Sequence, residues 1–391
     1  MKPLASSVSG VTASGIRRYF DLAATIDGVL SLGVGEPKYP CPPAAKAAAI
    51  AAIESDNDAY TSNFGRLSFR QAIAENIQRL YGVTYRPNNE ILVTTGVSEG
   101  ADLALRAILE TGDEVIFVDP TYVMYGPMIT FAGGKVVALT STASNDFEPD
   151  PDAIRRAVTN RTKAIILGYP CNPTGATPSR EIFEAIVQIA EEHDLWLISD
   201  EIYGRLVYGV EHTCISALPG AWERTILLGG FSKAYAMTGW RIGYACAPAA
   251  VIEVMMKIHQ YTMLCAPTIS QIACEAALIH SEDHVQTMVA AMEVKRDFVV
   301  ESLNEAGLEC RSPKGSFYVF PSVAKTGLDS ETFTEQLLKE KKVLVVPGTA
   351  FCGWSGDEAT GRSHIRCCYA VPDNELHEAV KRIAEFARVH A

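Results

Sequence analysis

Between about residues 45 and 265 the chain alternates short apolar runs with helix-like segments, and this alternation constrains its fold more than any other feature. The apolar runs fall at 90–94, 114–118, 135–139, 163–167, 195–199, 225–228 and 242–247 and are rich in Val, Ile, Leu and Ala. Helical patterns fall between them, at 44–53, 68–81, 98–109, 122–131 and 181–193. Strands apolar on both faces need cover on both faces, so the pattern predicts an α/β fold with a mostly parallel central sheet covered by helices. The tail from about residue 269 has a different pattern. It reads as one long helix over 270–306, strands at 317–320, 343–346 and 363–369, and a closing helix at 373–389. This is the pattern of a smaller α+β domain, which the short segment 29–35 is expected to join. At roughly one domain per 150 residues, 391 residues accommodate both. The expected division is a large domain over 45–270 and a small domain formed by 1–44 with 271–391.

Ligands of open parallel sheets bind beyond the carboxyl ends of the strands. The polar residues of interest all fall at such ends. Gly96-Val97-Ser98 follows the first run and opens a helix, so its N–H groups face a potential anion site. Tyr122 opens the next strand-to-helix connection, Asn172 follows the run at 163–167, and Asp200 and Tyr203 follow 195–199. Lys233 follows 225–228, in a loop of small residues that continues through Arg241 to Gly243. A pocket lysine with a lowered pKa can attack a carbonyl and form a Schiff base. Arg241 can hold an anion with two hydrogen bonds.

Together these groups fit a flat, phosphorylated, nitrogen-containing ring. Lys233 would bind its aldehyde and Asp200 its protonated nitrogen, making the ring an electron sink. Tyr203 and Asn172 would reach a phenolate oxygen, and Tyr122 would stack on the ring face. The Val97 and Ser98 amides, Ser232 and Arg241 would hold the phosphate.

Composition narrows the alternatives. A net charge of -12 argues against nucleic-acid or anionic-membrane partners. The ten cysteines include no CxxC pair, which argues against a zinc ribbon or a thioredoxin-like site, and no metal site is expected. Adjacent Cys367 and Cys368 read as buried free thiols in a reduced, cytoplasmic protein. No apolar stretch has the length of a signal peptide core or of a membrane span.

Several motifs carry a resemblance to a known family: Gly33-Val34-Gly35-Glu36-Pro37, Tyr60 in Ala59-Tyr60-Thr61, and Tyr169-Pro170-Cys171-Asn172-Pro173-Thr174-Gly175. Ser199-Asp200-Glu201-Ile202-Tyr203, the Lys233 run and Ser363-His364-Ile365-Arg366 complete the set. In these the chain resembles class I/II aminotransferases that depend on pyridoxal 5'-phosphate, the fold-type I branch of aspartate and aromatic transaminases, over almost its whole length. The resemblance implies transfer of an amino group between an L-amino acid and a 2-oxo acid by a ping-pong mechanism. It implies that Arg366 grips the substrate α-carboxylate and that the Gly35 backbone lies against substrate. It also implies that Tyr60 reaches the cofactor phosphate of a neighbouring subunit, hence a homodimer with shared active sites. One position departs from the pattern: Gly230 stands where many members carry Ser or Thr, leaving Ser232 as the nearby hydroxyl.

Plainer roles exist for single residues. Asp200 can cap a following turn, Asn172-Pro173 can be a turn alone, Arg366 can serve a structural ion pair, and Tyr60 can be an ordinary core or interface aromatic. Glu36 reads as structural, and Lys38 and Tyr39 stand near the expected pocket mouth. The competing enzyme reading is a carbon–sulfur β-lyase on the same fold. A DNA-binding regulator carrying this fold would need a further domain ahead of it; the acidic charge and the core's start within about 45 residues of Met1 oppose that. No secure motif marks a cation for a distal substrate carboxylate.

Overall fold

The apolar runs assemble into one sheet in the computed structural model of the chain, which describes residues 2, 4–11, 15–356 and 358–390. In chain order the strands are β1 (Leu30–Ser31), β2 (Ile91–Thr94), β3 (Glu114–Asp119), β4 (Lys135–Thr140), β5 (Thr162–Leu167) and β6 (Trp196–Asp200). There follow β7 (Thr225–Gly230), β8 (Gly243–Cys246), β9 (Tyr318–Val319), β10 (Val343–Leu344), β11 (Val346–Pro347) and β12 (Ile365–Cys368). The central sheet has seven strands in the order β2-β8-β7-β6-β5-β3-β4. Only β8 runs against the rest, pairing antiparallel with both β2 and β7. The mostly parallel α/β architecture expected from the sequence is therefore present. Residues of β2, β5, β6 and β7 are almost all buried, as strands covered by helices on both faces require. Because β2, β3, β5, β6 and β7 point the same way, the segments that follow them emerge along one edge.

The remaining strands are short. β11, β12 and β9 form a three-stranded antiparallel sheet, and β1 pairs in parallel with β10 through Leu30↔Val343 and Ser31↔Leu344. The segment at 29–35 is thus tied to the C-terminal part of the chain. Phe317, Phe333, Leu337, Val380, Ile383 and Phe386 form the local core there. Burying side chains of this size is worth about 1.5–3 kcal/mol each.

Four sequence expectations change. The run at 343–346 is two strands with different partners, because Val345 carries the chain from one sheet to the other. All four residues are buried, so alternation could not locate the break. The helix expected over 270–306 is two, Thr268–His280 and Glu282–Glu305, broken at Ser281 (φ -128°, ψ 27°). Glu282 and Asp283 then start the second helix, where acidic residues favour an N-terminus. The strand at 363–369 shortens to Ile365–Cys368, since Ser363 ends the helix Glu358–Ser363. The helix placed at 122–131 begins only at Tyr125. Helices that went unread include Gly15–Ala23, Ala249–Thr262, Ser330–Lys341 and Pro151–Ala157, the last of which Asp150 caps by accepting from Asp152 N at 2.9 Å.

Candidate active site

The turn after β2 is built for close approach. Gly96 has φ 81°, and a methyl group there would stand 2.6 Å from Arg241 Nη2. A methyl on Gly243 would stand 2.6 Å from both Gly96 C and Val97 N. The two glycines let β8 and the Arg241 guanidinium press against the turn. The helix Val97–Ile108 starts there, and Gly100 N to Gly96 O (3.4 Å) is its opening bond. The N–H groups of Val97 and Ser98 precede that bond and are free to bind an anion. Arg241 itself takes a left-handed conformation (φ 54°) after the short turn Thr238–Trp240. Its Nη1 donates to Thr238 O at 3.1 Å. Gly230 packs tightly here: an added methyl would lie 3.0 Å from Val97 Cγ2 and 3.1 Å from Ile242 O. Of the pair considered from the sequence, Ser232 alone brings a hydroxyl to the cavity.

Lys233 leaves the loop after β7 and its Nζ donates to Gly35 O at 2.6 Å. Burial is the main cause that lowers its pKa from 10.5 to about 8. Asp200 ends β6 in a buried position. Burial raises its carboxyl to about 6, against the opposing effects of the Tyr125 hydroxyl and of Lys233. Tyr125 donates to Asp200 Oδ2 at 2.9 Å, and Ile202 N donates to Oδ1 at 3.2 Å. The turn-capping role considered for Asp200 is therefore also present. Tyr125 reaches this carboxylate because Gly168 has no side chain: a methyl there would stand 2.4 Å from the Tyr125 hydroxyl.

Arg366 comes from β12 and is buried between aromatic rings, 4.5 Å from the Tyr318 centroid and 4.8 Å from that of Phe351. Its Nη1 donates to Asn172 Oδ1 at 2.8 Å and its Nη2 to Gly33 O at 2.6 Å, while Nε is buried without a partner among the described residues. Tyr203 and Tyr318 share a hydroxyl–hydroxyl bond of 3.0 Å, and burial is the main cause that raises both pKa values. A methyl on Gly35 would lie 2.4 Å from the Tyr318 hydroxyl, so that backbone also approaches closely.

One cavity of about 640 Å³ collects these groups. It is lined by Gly35, Val97, Ser98, Tyr122, Asn172, Asp200, Tyr203, Ser232, Lys233, Arg241 and Arg366, all expected from the sequence. Tyr60 is not among its lining residues and is 83% exposed. Lys38 and Tyr39 do not line the cavity either. Lys38 pairs with Glu375 at 2.7 Å, and Tyr39 packs edge-on to His284. Sequence reasoning missed Tyr125, Tyr318 and Arg17, the last a cation contributed to the lining by the helix Gly15–Ala23. Glu36, read as structural, lines the cavity and accepts a hydrogen bond from Thr238.

The family model for aminotransferases of class I and II matches residues 27–383. A putative aminotransferase of Bacillus subtilis, YugH, is 43% identical over 383 residues, spanning 98% of this chain and 98% of that protein. The aspartate aminotransferase of Pyrococcus abyssi is 40% identical over 381 residues, spanning 97% of this chain and 96% of that one. Among solved structures, the aromatic aminotransferase of Pyrococcus horikoshii superposes with a TM-score of 0.88 at 38% identity, over 95% of this chain and 98% of that one. These likenesses support transamination and do not favour the lyase reading.

Proposed function

The chain belongs to the aminotransferase class I and II family and is a transaminase, and we propose that it works with pyridoxal 5'-phosphate bound at Lys233. The observation that carries this reading is a cavity that holds a half-buried amine, a buried carboxyl and a buried guanidinium on three different elements. The residues fit the cofactor. The glycine-lined turn at Gly96 and Gly243 leaves backbone N–H groups open to a phosphate, with Arg241 and Ser232 beside it. Asp200, on the floor, would face the ring nitrogen. When bound, the cofactor supplies an aldehyde for an amine and a ring that accepts the electron pair released at the substrate Cα.

The chain's own groups do the rest. Arg366, which lines the cavity, would hold the α-carboxylate, and Asn172 keeps that guanidinium oriented. Lys233 Nζ would take a proton from Cα and return it, a task that burial favours by bringing its pKa to about 8. Tyr203, its hydroxyl kept protonated by burial, would donate to the ring oxygen. The walls Ile16, Phe20, Val34, Val123 and Met124 suit an apolar or aromatic side chain, and Arg17 offers a cation for a distal carboxylate. We therefore read the donor as aromatic or dicarboxylic and 2-oxoglutarate as the acceptor.

A panel of amino donors tests this. Each should yield its 2-oxo acid only when a 2-oxo-acid acceptor is present. Faster release of pyruvate and ammonia from a cysteine conjugate without acceptor would overturn the reading. In the same panel Arg366→Lys should lower kcat/KM by about 2–3 kcal/mol, roughly 30- to 150-fold, the scale of charged hydrogen bonds. Lysine is a point charge and cannot reproduce the planar fork or its stacking. Amines without a carboxylate should be spared; equal loss for both would make Arg366 structural.

We also read residues 45–270 as the large domain, 1–44 with 271–391 as the small one, and the enzyme as a cytoplasmic homodimer. Among the described residues no helix is long and apolar enough to cross a membrane. What supports the dimer is an exposed apolar set: Tyr60, Leu67, Tyr261, Met263 and Leu264. The segments are joined by Asn63 Nδ2 donating to Leu264 O at 2.8 Å and Thr268 Oγ1 to Ala59 O at 2.7 Å. If Tyr60 serves the partner's site, mixing Tyr60→Ala and Lys233→Ala subunits puts both defects in one site and none in the other. Activity should return to at most about half per dimer, as a two-fold pair requires. Demonstrated exchange with no activity above the Tyr60→Ala homodimer would show that Tyr60 serves its own subunit.

A further inference from the structure

Behind the anion-binding turn lies a buried histidine that the mechanism does not use. His259, on the helix Ala249–Thr262, is 0% exposed, and its Nδ1 lies 2.7 Å from Glu99 Oε1. Its Nε2 is buried without a hydrogen-bond partner among the described residues. A polar ring buried with one nitrogen unpaired costs stability, and an apolar side chain would fill the same space without that cost. Packing alone therefore does not account for it. Glu99 is the third residue of the helix Val97–Ile108, and its other oxygen, Oε2, accepts from Thr95 N just ahead of Gly96. A carboxylate at this place is attracted to the same helix N-terminus that an incoming anion must use.

We propose that His259 is a positioning residue for the anion cradle, acting through Glu99. By donating to Oε1, it holds the carboxylate to one side, over Thr95 N and away from the N–H groups of Val97 and Ser98. The same bond fixes the path of the Thr95–Ser98 turn from behind, as the Arg241 guanidinium and the Gly243 backbone fix it from in front. The inference rests on the reading of that turn as the phosphate site.

The test uses the cofactor-free full-length protein and measures dissociation constants for pyridoxal 5'-phosphate, for pyridoxal, and for inorganic phosphate. His259→Leu should weaken pyridoxal 5'-phosphate and inorganic phosphate at least tenfold and pyridoxal less than twofold. His259→Asn, whose side-chain amide N–H stands where Nδ1–H does, should return both anions to within threefold of wild type. Glu99→Leu removes the competing carboxylate itself, so adding His259→Leu to it should change the preference for phosphate less than twofold. A general loss of structure would weaken pyridoxal equally and leave the ratio unchanged. If the ratio of pyridoxal 5'-phosphate to pyridoxal affinity in His259→Leu equals that of wild type, the inference is overturned. Should that variant fail to fold, a ratio in the Glu99→Leu/His259→Leu double variant more than threefold away from that of Glu99→Leu overturns it equally, because His259 would then act without Glu99. If wild type itself prefers pyridoxal 5'-phosphate no more than pyridoxal, the phosphate-site reading falls and this inference falls with it.

Discussion

Lys233→Ala is expected to lose transamination by at least about four orders of magnitude, the upper range for removing a positioned acid–base group. Among the described residues no other lysine lines the cavity, and Nζ of Lys233 is already held by Gly35 O at 2.6 Å. Burial prepares this amine: with its pKa lowered from 10.5 to about 8, a useful share is neutral near neutral pH. Its neutral fraction in the cofactor-free protein should rise as pH passes through about 8. Wild-type protein reduced with borohydride in the presence of pyridoxal 5'-phosphate should carry the label on the peptide containing Lys233. The alanine variant should carry none there, while Arg241 and the Val97–Ser98 turn keep measurable phosphate binding. A label on a different lysine in wild type would remove Lys233 from its role. Loss of phosphate binding along with activity would mean that the loop collapsed, and the fold of the variant would then explain the result.

How far the site was legible depends on how local its signals are. Asp200, Asn172 and Lys233 each follow a Val/Ile/Leu run, so the end of a strand marks them within a few residues. Arg366 was reached only through the resemblance, because it gains its meaning from partners more than 190 positions away, at Asn172 and Gly33. Tyr125 and Tyr318 were missed for the same reason. One sits in an ordinary apolar helix and the other in an apolar strand, and only distances of 2.9 and 3.0 Å to Asp200 and Tyr203 assign them. His259 looks in sequence like any helical histidine; what sets it apart is complete burial against Glu99, 160 positions away. The fold shows the same division. The β2–β7 alternation was readable because each strand carries its own apolar signature. The split of Val343–Leu344 from Val346–Pro347 was not, because pairing with β1 and with β12 selects between equally buried residues. Glycines show the limit from the other side. Gly35 and Gly168 look like ordinary turn residues, yet at each a tyrosine hydroxyl would lie 2.4 Å from an added methyl group and would have to move.

Asp200→Asn should keep the cofactor and lose turnover by about 3–4 kcal/mol, or two to three orders of magnitude, the scale of one preorganised electrostatic group. The amide fills the same space and can still accept from the Tyr125 hydroxyl, which lies 2.9 Å from Oδ2. It cannot carry the negative charge that would hold a proton at the ring nitrogen, so stabilisation of charge at Cα falls while binding by the phosphate contacts remains. Turnover within a factor of two of wild type would refute the role. A second readout is independent of catalysis. In the cofactor-free fold burial raises the Asp200 carboxyl to about 6, above the roughly 3.9 of an unfolded chain. The folded state therefore binds the extra proton between those values. The contribution of this group to stability is full below about pH 4 and is lost as pH rises through about 6. Asparagine has no charge to bury and escapes that loss. Cofactor-free Asp200→Asn should then be more stable than wild type at pH 7, by on the order of 2–3 kcal/mol, with the advantage vanishing near pH 4. Equal melting temperatures of the two proteins at pH 7 would mean that the cavity solvates this carboxylate, and that Asp200 is not a buried charge waiting for a cationic ring.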